Sequence, residues 1–254
     1  FRRNGRATAE QGFDIDYYDL HWLKNGDAER SRDIWRANLL GGSRVHDLIE
    51  RLRGYPTLKD FADKRGWDFG EGYIAGLKGI SRPAGHLIGK PLLPTEALSE
   101  AGIDAQAIEL VPDRPIKDTK SAARFTPPFL LIKENEDLHH GLWHGSYLTY
   151  KHRILGFATD RNGIDQLAAI EAWLSRESTI LKAYVAGISA SLFVQRATAI
   201  LGADILDLPY PEDEDLDLSQ NERIIAEDII GHQRDFIRLG TAAPVMRVAS
   251  AEAL

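Results

Sequence analysis

Apolar positions near the start of the chain recur at helical spacing and stop at glycine. Ile34, Trp35, Leu39 and Leu40 end at Gly41-Gly42; Ser43 then opens a second helix with Leu48, Ile49 and Leu52 on one face, closed by Gly54 and Pro56. Thr57 and Asp60 have the spacing of a capping box in front of Leu58, Phe61 and Ala62, and Gly66 stands where a helix end needs it. The pattern changes at Trp67. Gly70 to Gly89 is rich in glycine with isolated apolar residues, which predicts short strands and exposed loops. Strands are predicted at Phe129 to Lys133 and from Ser146 to Phe157, where aromatic and β-branched residues are frequent.

Helical spacing returns after Asp160. With Asn162 as cap, Ile164, Leu167, Ala168, Leu174, Leu181, Tyr184 and Val185 predict one long helix ending at Gly187. Ser191 to Leu201 predicts another, Ile205 to Pro211 is too proline-bound for one, and acidic Glu212 to Asp217 predicts a solvated loop. Ser219 and Glu222 form a second capping box, opening a final helix through about Leu239. The expected fold is α+β: a helical lead-in over 1–66, a mostly β core over 67–160 and a helical part over 161–254.

Composition narrows the chemistry. The 254 residues include no Cys, which excludes disulfides, thiolate metal sites and a cysteine nucleophile, and fits a reducing, cytoplasmic setting. No apolar run reaches the length of a membrane span, so no membrane partner is expected. A first residue of Phe, with the single Met at 246, leads us to expect a piece of a longer polypeptide. The net charge of -7 argues against a polyanionic partner, but its distribution does not. Tyr73 to Thr95, Arg114 to Lys133 and Leu138 to Thr159 together carry +9, which leaves -16 elsewhere.

Motifs for catalysis are weak. Thr126-Pro127-Pro128-Phe129 is similar to the segment with which DNA aminomethyltransferases hold the target amino group, but its first residue is Thr. The only glycine turn that could serve S-adenosylmethionine, Phe69-Gly70-Glu71-Gly72, follows the charged segment Lys59 to Arg65 rather than a buried strand. His139, His140, His144 and His152 match no metal-ligand spacing, so neither catalytic nor metal-binding residues are expected. The basic windows point elsewhere. Lys78, Arg82 and Lys90 lie in a glycine-rich, acid-free stretch where backbone and flexible cations can approach phosphates. Lys117, Lys120 and Arg124, then Lys151 and Arg153, are further candidates for DNA contact, with Tyr147 and Tyr150 as stacking groups.

Taken in order, several landmarks resemble the C-terminal target-recognition region of adenine-specific (N-6) DNA methyltransferases of restriction-modification and related phage-defence systems. They are Trp35 with Leu39-Leu40-Gly41-Gly42-Ser43 and Asp47; Gly70, Gly72 and Gly76; Phe125 with Pro128 and the apolar run after it; the helix from Ile164 to Tyr184; and Leu208-Pro209-Tyr210-Pro211 before the last helix. The resemblance implies a division of labour. A separate N-terminal methyltransferase domain of the same polypeptide would bind S-adenosylmethionine and flip adenine out of double-stranded DNA, while this region, itself without cofactor, selects the sequence. Ser175-Arg176-Glu177-Ser178 departs from the Leu-Asn-Ser often found at that point, which leaves the subfamily open. Two other readings stay open: a divergent but complete methyltransferase using Thr126 to Phe129, or an interaction module whose helices at Ile164 and Ser219 bind another subunit of a defence complex.

Overall fold

The computed structural model describes residues 23, 25–31, 33–40, 42–76, 84–192, 199–212 and 214–239, and over these the fold is α+β. Helices α1 (Asn25–Arg30), α2 (Ile34–Leu40), α3 (Ser43–Arg53) and α4 (Leu58–Arg65) come first. Strands β1 (Asp68–Glu71), β2 (Ile74–Ala75), β3 (Pro91–Leu93), β4 (Leu98–Ser99), β5 (Gly102–Ile103) and β6 (Glu109–Leu110) follow. Next are β7 (Ile116–Asp118), β8 (Phe129–Lys133), β9 (His140–Trp143), β10 (Thr149–Tyr150) and β11 (Ile154–Ala158). Helices α5 (Ile164–Arg176), α6 (Ser178–Ile188), α7 (Gly202–Leu206) and α8 (Gln220–Leu239) close the described chain. No helix among the described residues is long and apolar enough to cross a membrane.

Two compact units share the chain, each discontinuously. One comprises the described parts of Phe1–Pro56, Thr179–Thr198 and Pro211–Leu254, and is helical; the other comprises Thr57–Ser178 and Ala199–Tyr210 and contains every strand among the described residues. In the helical unit, α3 buries the expected Leu48, Ile49 and Leu52. Its exposed face carries Arg51, whose Nη1 donates to Glu222 Oε1 at 2.9 Å. Glu222 also accepts from Ser219 N at 2.7 Å, so the capping box at the start of α8 forms as the spacing predicts.

Helix α4 starts the strand-rich unit. Thr57 Oγ1 accepts from Asp60 N at 3.1 Å while the Asp60 carboxylate accepts from Thr57 N at 2.9 Å, and Gly66 ends the helix at φ 65°. Leu58, Phe61 and Ala62 are the buried face. The main sheet is antiparallel in the order β1-β11-β8-β9, and α5 packs on β8 and β9. Smaller ladders β10-β3-β6, β2-β7 and β4-β5 stand beside it. One apolar cluster joins these sheets, with Phe125, Phe129, Leu131 and Tyr150 fully buried in it.

Three expectations change. The predicted strand from Ser146 to Phe157 is two strands: β10 pairs parallel with β3, the chain turns through Arg153 at φ 88°, and β11 joins the main sheet. The predicted helix from Ile164 to Gly187 breaks at Glu177, whose ψ of 15° leaves the helical region. Its halves serve separate cores: α5 buries Leu167, Ile170, Trp173 and Leu174 on one stripe, whereas α6 is buried almost all round from Ala183 to Gly187. The cap is not Asn162 either. Asp160 Oδ1 accepts from Asn162 N at 3.0 Å and starts a short 3₁₀ turn, Arg161–Gly163, that runs into α5. The helix expected from Ser191 to Leu201 falls mostly on 193–198, outside the described residues, while Ile205 and Leu206 complete the short α7.

Candidate nucleic-acid interface

The three acid-poor windows are distant in sequence, and strand pairing brings them together. β2 pairs with β7 through Ile74↔Asp118 and Ala75↔Ile116, joining the first window to the second, and Gly76 N donates to Pro115 O at 2.7 Å. β10 pairs with β3 through Thr149↔Leu92 and Tyr150↔Leu93, joining the third window to the first. A bridge between Tyr73 and Lys151 repeats that link. Side chains close the assembly: the His86 ring nitrogen Nε2 lies 3.1 Å from Lys120 O, and Tyr147 Oη donates to His86 O at 2.9 Å.

The cations in this region fall into two groups. Arg124 Nε pairs with Asp68, its Nη1 donates to Glu71 O at 3.0 Å, and it is half-buried, so its charge is spent on holding β1. Lys120 Nζ lies 2.7 Å from Asp118 Oδ2, and Arg153 Nη1 lies 3.8 Å from Glu134 Oε2. Lys90 and Lys117 are exposed, Lys151 is half-buried, and none of the three makes an ion pair with a described residue. Lys78 and Arg82 lie outside the described residues.

Tyr150 cannot act as a stacking group. Its side chain is fully buried, its ring meets Phe125 and Phe129 edge-on at 5.2 and 5.8 Å, and its hydroxyl donates to Arg124 O at 3.1 Å. Burial pushes that hydroxyl far above the usual tyrosine range, so the phenol stays protonated and donates. Tyr147 is half-buried, with its hydroxyl committed to His86 O and its ring edge-on to Phe125 at 6.3 Å. It fixes the 84–90 segment in place.

No model of a known protein family matches the chain, and no curated protein matches its sequence.

The segment Thr126-Pro127-Pro128 lines an open groove of about 820 Å³, together with Trp67, Arg161 and Gln166. Phe129 does not face that groove as part of a motif; it is fully buried at the start of β8. Phe69 to Glu71 lie in the antiparallel ladder with β11, where Phe69 stacks on Phe157 at 5.8 Å. His139 Nδ1 approaches Asn135 Nδ2 at 3.2 Å, and His140 Nε2 approaches Ser175 Oγ at 3.0 Å, while His144 and His152 are exposed. Among the described residues no group of three or more His, Asp or Glu is placed to hold a metal ion.

Arg114 carries no motif that marks it in the sequence. It is exposed between β6 and β7, and its charge partly offsets the burial that raises the Tyr73 hydroxyl. Its membership of the second basic window is the signal in the sequence that points to it.

Proposed function

We propose that this chain is the double-stranded DNA target-recognition module of a larger adenine-N-6 DNA methyltransferase of a restriction-modification or phage-defence system. In this reading the catalytic domain of the same polypeptide binds S-adenosylmethionine and flips the adenine in the cytoplasm, and the present chain selects the site. The supporting observation is the convergence of three basic windows on one set of small sheets, with Lys90, Lys117 and Lys151 left without an ion pair to a described residue. Lysines at such positions meet phosphates and set register, and the loops beside them are left to read base edges. Arg124 and Tyr150, spent on packing, take no part in the contact.

Fluorescence anisotropy of the chain with a labelled duplex across a salt series tests the reading. Affinity should fall as salt rises, and the triple variant K90E/K117E/K151E should bind weakly, with a salt slope shallower by about 0.9 for each phosphate that is no longer neutralised. Affinity that ignores salt, or that survives the three reversals, overturns the proposal. Saturable binding of S-adenosylmethionine to this chain by calorimetry would overturn the division of labour.

A further inference from the structure

Glu134, the residue after β8, is 6% exposed, yet no hydrogen-bond donor reaches its Oε1. The carboxyl of Glu71, at the end of β1, faces it. Two carboxylates are both acceptors, so this pair closes a hydrogen bond only when one of them carries a proton. Both Oε1 atoms point at one turn. A Cβ built on Gly202 would stand 3.1 Å from Glu134 Oε1 and 3.2 Å from Glu71 Oε1, so the start of α7 lies directly over the pair.

Every element around the pair contributes charge. Arg153, in the turn before β11, places Nη1 3.8 Å from Glu134 Oε2, and its carbonyl accepts from Glu134 N at 2.9 Å. Asp204 of α7 accepts from Leu201 N at 2.9 Å and adds a third acid; Arg124, paired with Asp68, reaches the backbone carbonyl of Glu71. One arginine against three acids leaves the cluster under-neutralised unless a proton is retained. The segment Ala199–Tyr210 above it is fixed to the same unit at its ends, by the bridges Asn135↔Ala199 and Thr57↔Pro209 and by Leu58 N donating to Leu208 O at 2.9 Å.

We propose that Glu71 and Glu134 form a proton-operated latch: sharing one proton, they clasp the Leu201–Gly202 turn to the sheet, and loss of that proton loosens residues 199–204. Burial first, and the Glu71 charge second, push the Glu134 carboxyl up to about 8. The acid therefore holds its proton more tightly folded than unfolded. Its stabilising contribution is complete below the ordinary glutamate range, declines as pH rises, and is gone once pH has passed about 8.

Hydrogen exchange of the full chain between pH 6 and 9, corrected for the intrinsic rate, reads the latch directly. In the unsubstituted protein, protection over residues 199–207 should fall with a midpoint near 8 while β8 and β11 stay protected. In Glu134→Gln, where a neutral amide replaces the protonated acid, protection should persist across the range. Protection that is flat with pH in the unsubstituted chain, or that falls equally in the variant, overturns the proposal. Should Glu134→Gln not fold, carboxyl NMR of the unsubstituted protein decides: a Glu134 titration in the ordinary glutamate range overturns it, and a displaced one that returns toward that range in Glu71→Gln supports it.

Discussion

The hydroxyl oxygen of Tyr150 lies 2.0 Å from the point where a Cβ on Gly156 would stand. Glycine at 156 is therefore a space requirement, since its φ is not in the left-handed region. Tyr150 cannot step aside, because its hydroxyl is tied to Arg124 O and its ring is wedged between Phe125 and Phe129. Gly156→Ala should destabilise the strand-rich unit by about 1–3 kcal/mol or more, the usual cost of overfilling a packed core. Tyr150→Phe, which loses one buried hydrogen bond, should cost about 1–3 kcal/mol alone. Because Tyr150→Phe removes the clashing oxygen, the double variant should lose less than the sum. Urea unfolding of all four proteins measures that coupling; strict additivity would mean that the two residues do not meet.

The cap on α4 has its own pH signature. Donation from Thr57 N and then from Thr57 Oγ1 holds the Asp60 carboxyl below its usual range. A lowered folded-state value means that the contribution is present above the unfolded value and is lost as pH falls through the folded one. Thr57→Ala should cost roughly 1 kcal/mol at neutral pH. Asp60→Asn should be less stable than the unsubstituted chain at pH 7, with the difference vanishing in acid; a difference constant down to pH 2 would assign the loss to something other than the charge. Thermal melts over pH 2–7 make the comparison.

At the other end of α4, Gly66 sits at φ 65° with nothing within 4 Å of a Cβ. The space is open, so any cost of substitution is backbone strain. Gly66→Ala should lose about 1–2 kcal/mol and Gly66→Asn clearly less, because asparagine tolerates the left-handed region. Equal losses for the two in chemical unfolding would point to packing instead.

What was legible in the sequence was local. Capping boxes at Thr57 and Ser219, the turn at Gly66 and the apolar run Phe129 to Lys133 depend on neighbours within a few residues, and each forms where the spacing puts it. The break at Glu177 was not legible, because the apolar period runs on while the two halves enter different cores. The candidate interface divides in the same way. Charge windows could be counted along the chain, but which cations are consumed internally depends on pairings such as Arg124 with Asp68, 56 positions apart. Tyr150 looked like a surface aromatic for the same reason: its neighbours Gly72 and Phe125 are brought to it by the fold, with no trace in residues 147–153.

That division predicts opposite phenotypes for two cations in one basic window. Arg124 is mostly buried against Asp68, with its Nη1 on the Glu71 carbonyl. Arg124→Ala leaves Asp68 without its cation and the Glu71 carbonyl without that donor, and should cost about 1–3 kcal/mol of stability. Lys117 is exposed and makes no ion pair with a described residue. Lys117→Glu should leave stability within about 0.5 kcal/mol of the unsubstituted chain. In duplex binding the order reverses: at a temperature where both variants are folded, Arg124→Ala should keep the salt slope, and Lys117→Glu should make it shallower by about 0.9, the share of a single phosphate. Unfolding curves and anisotropy on the same preparations separate the two effects. A Lys117→Glu protein that binds DNA as before but melts early would reverse the roles assigned to these residues, because its lysine would then be serving the fold.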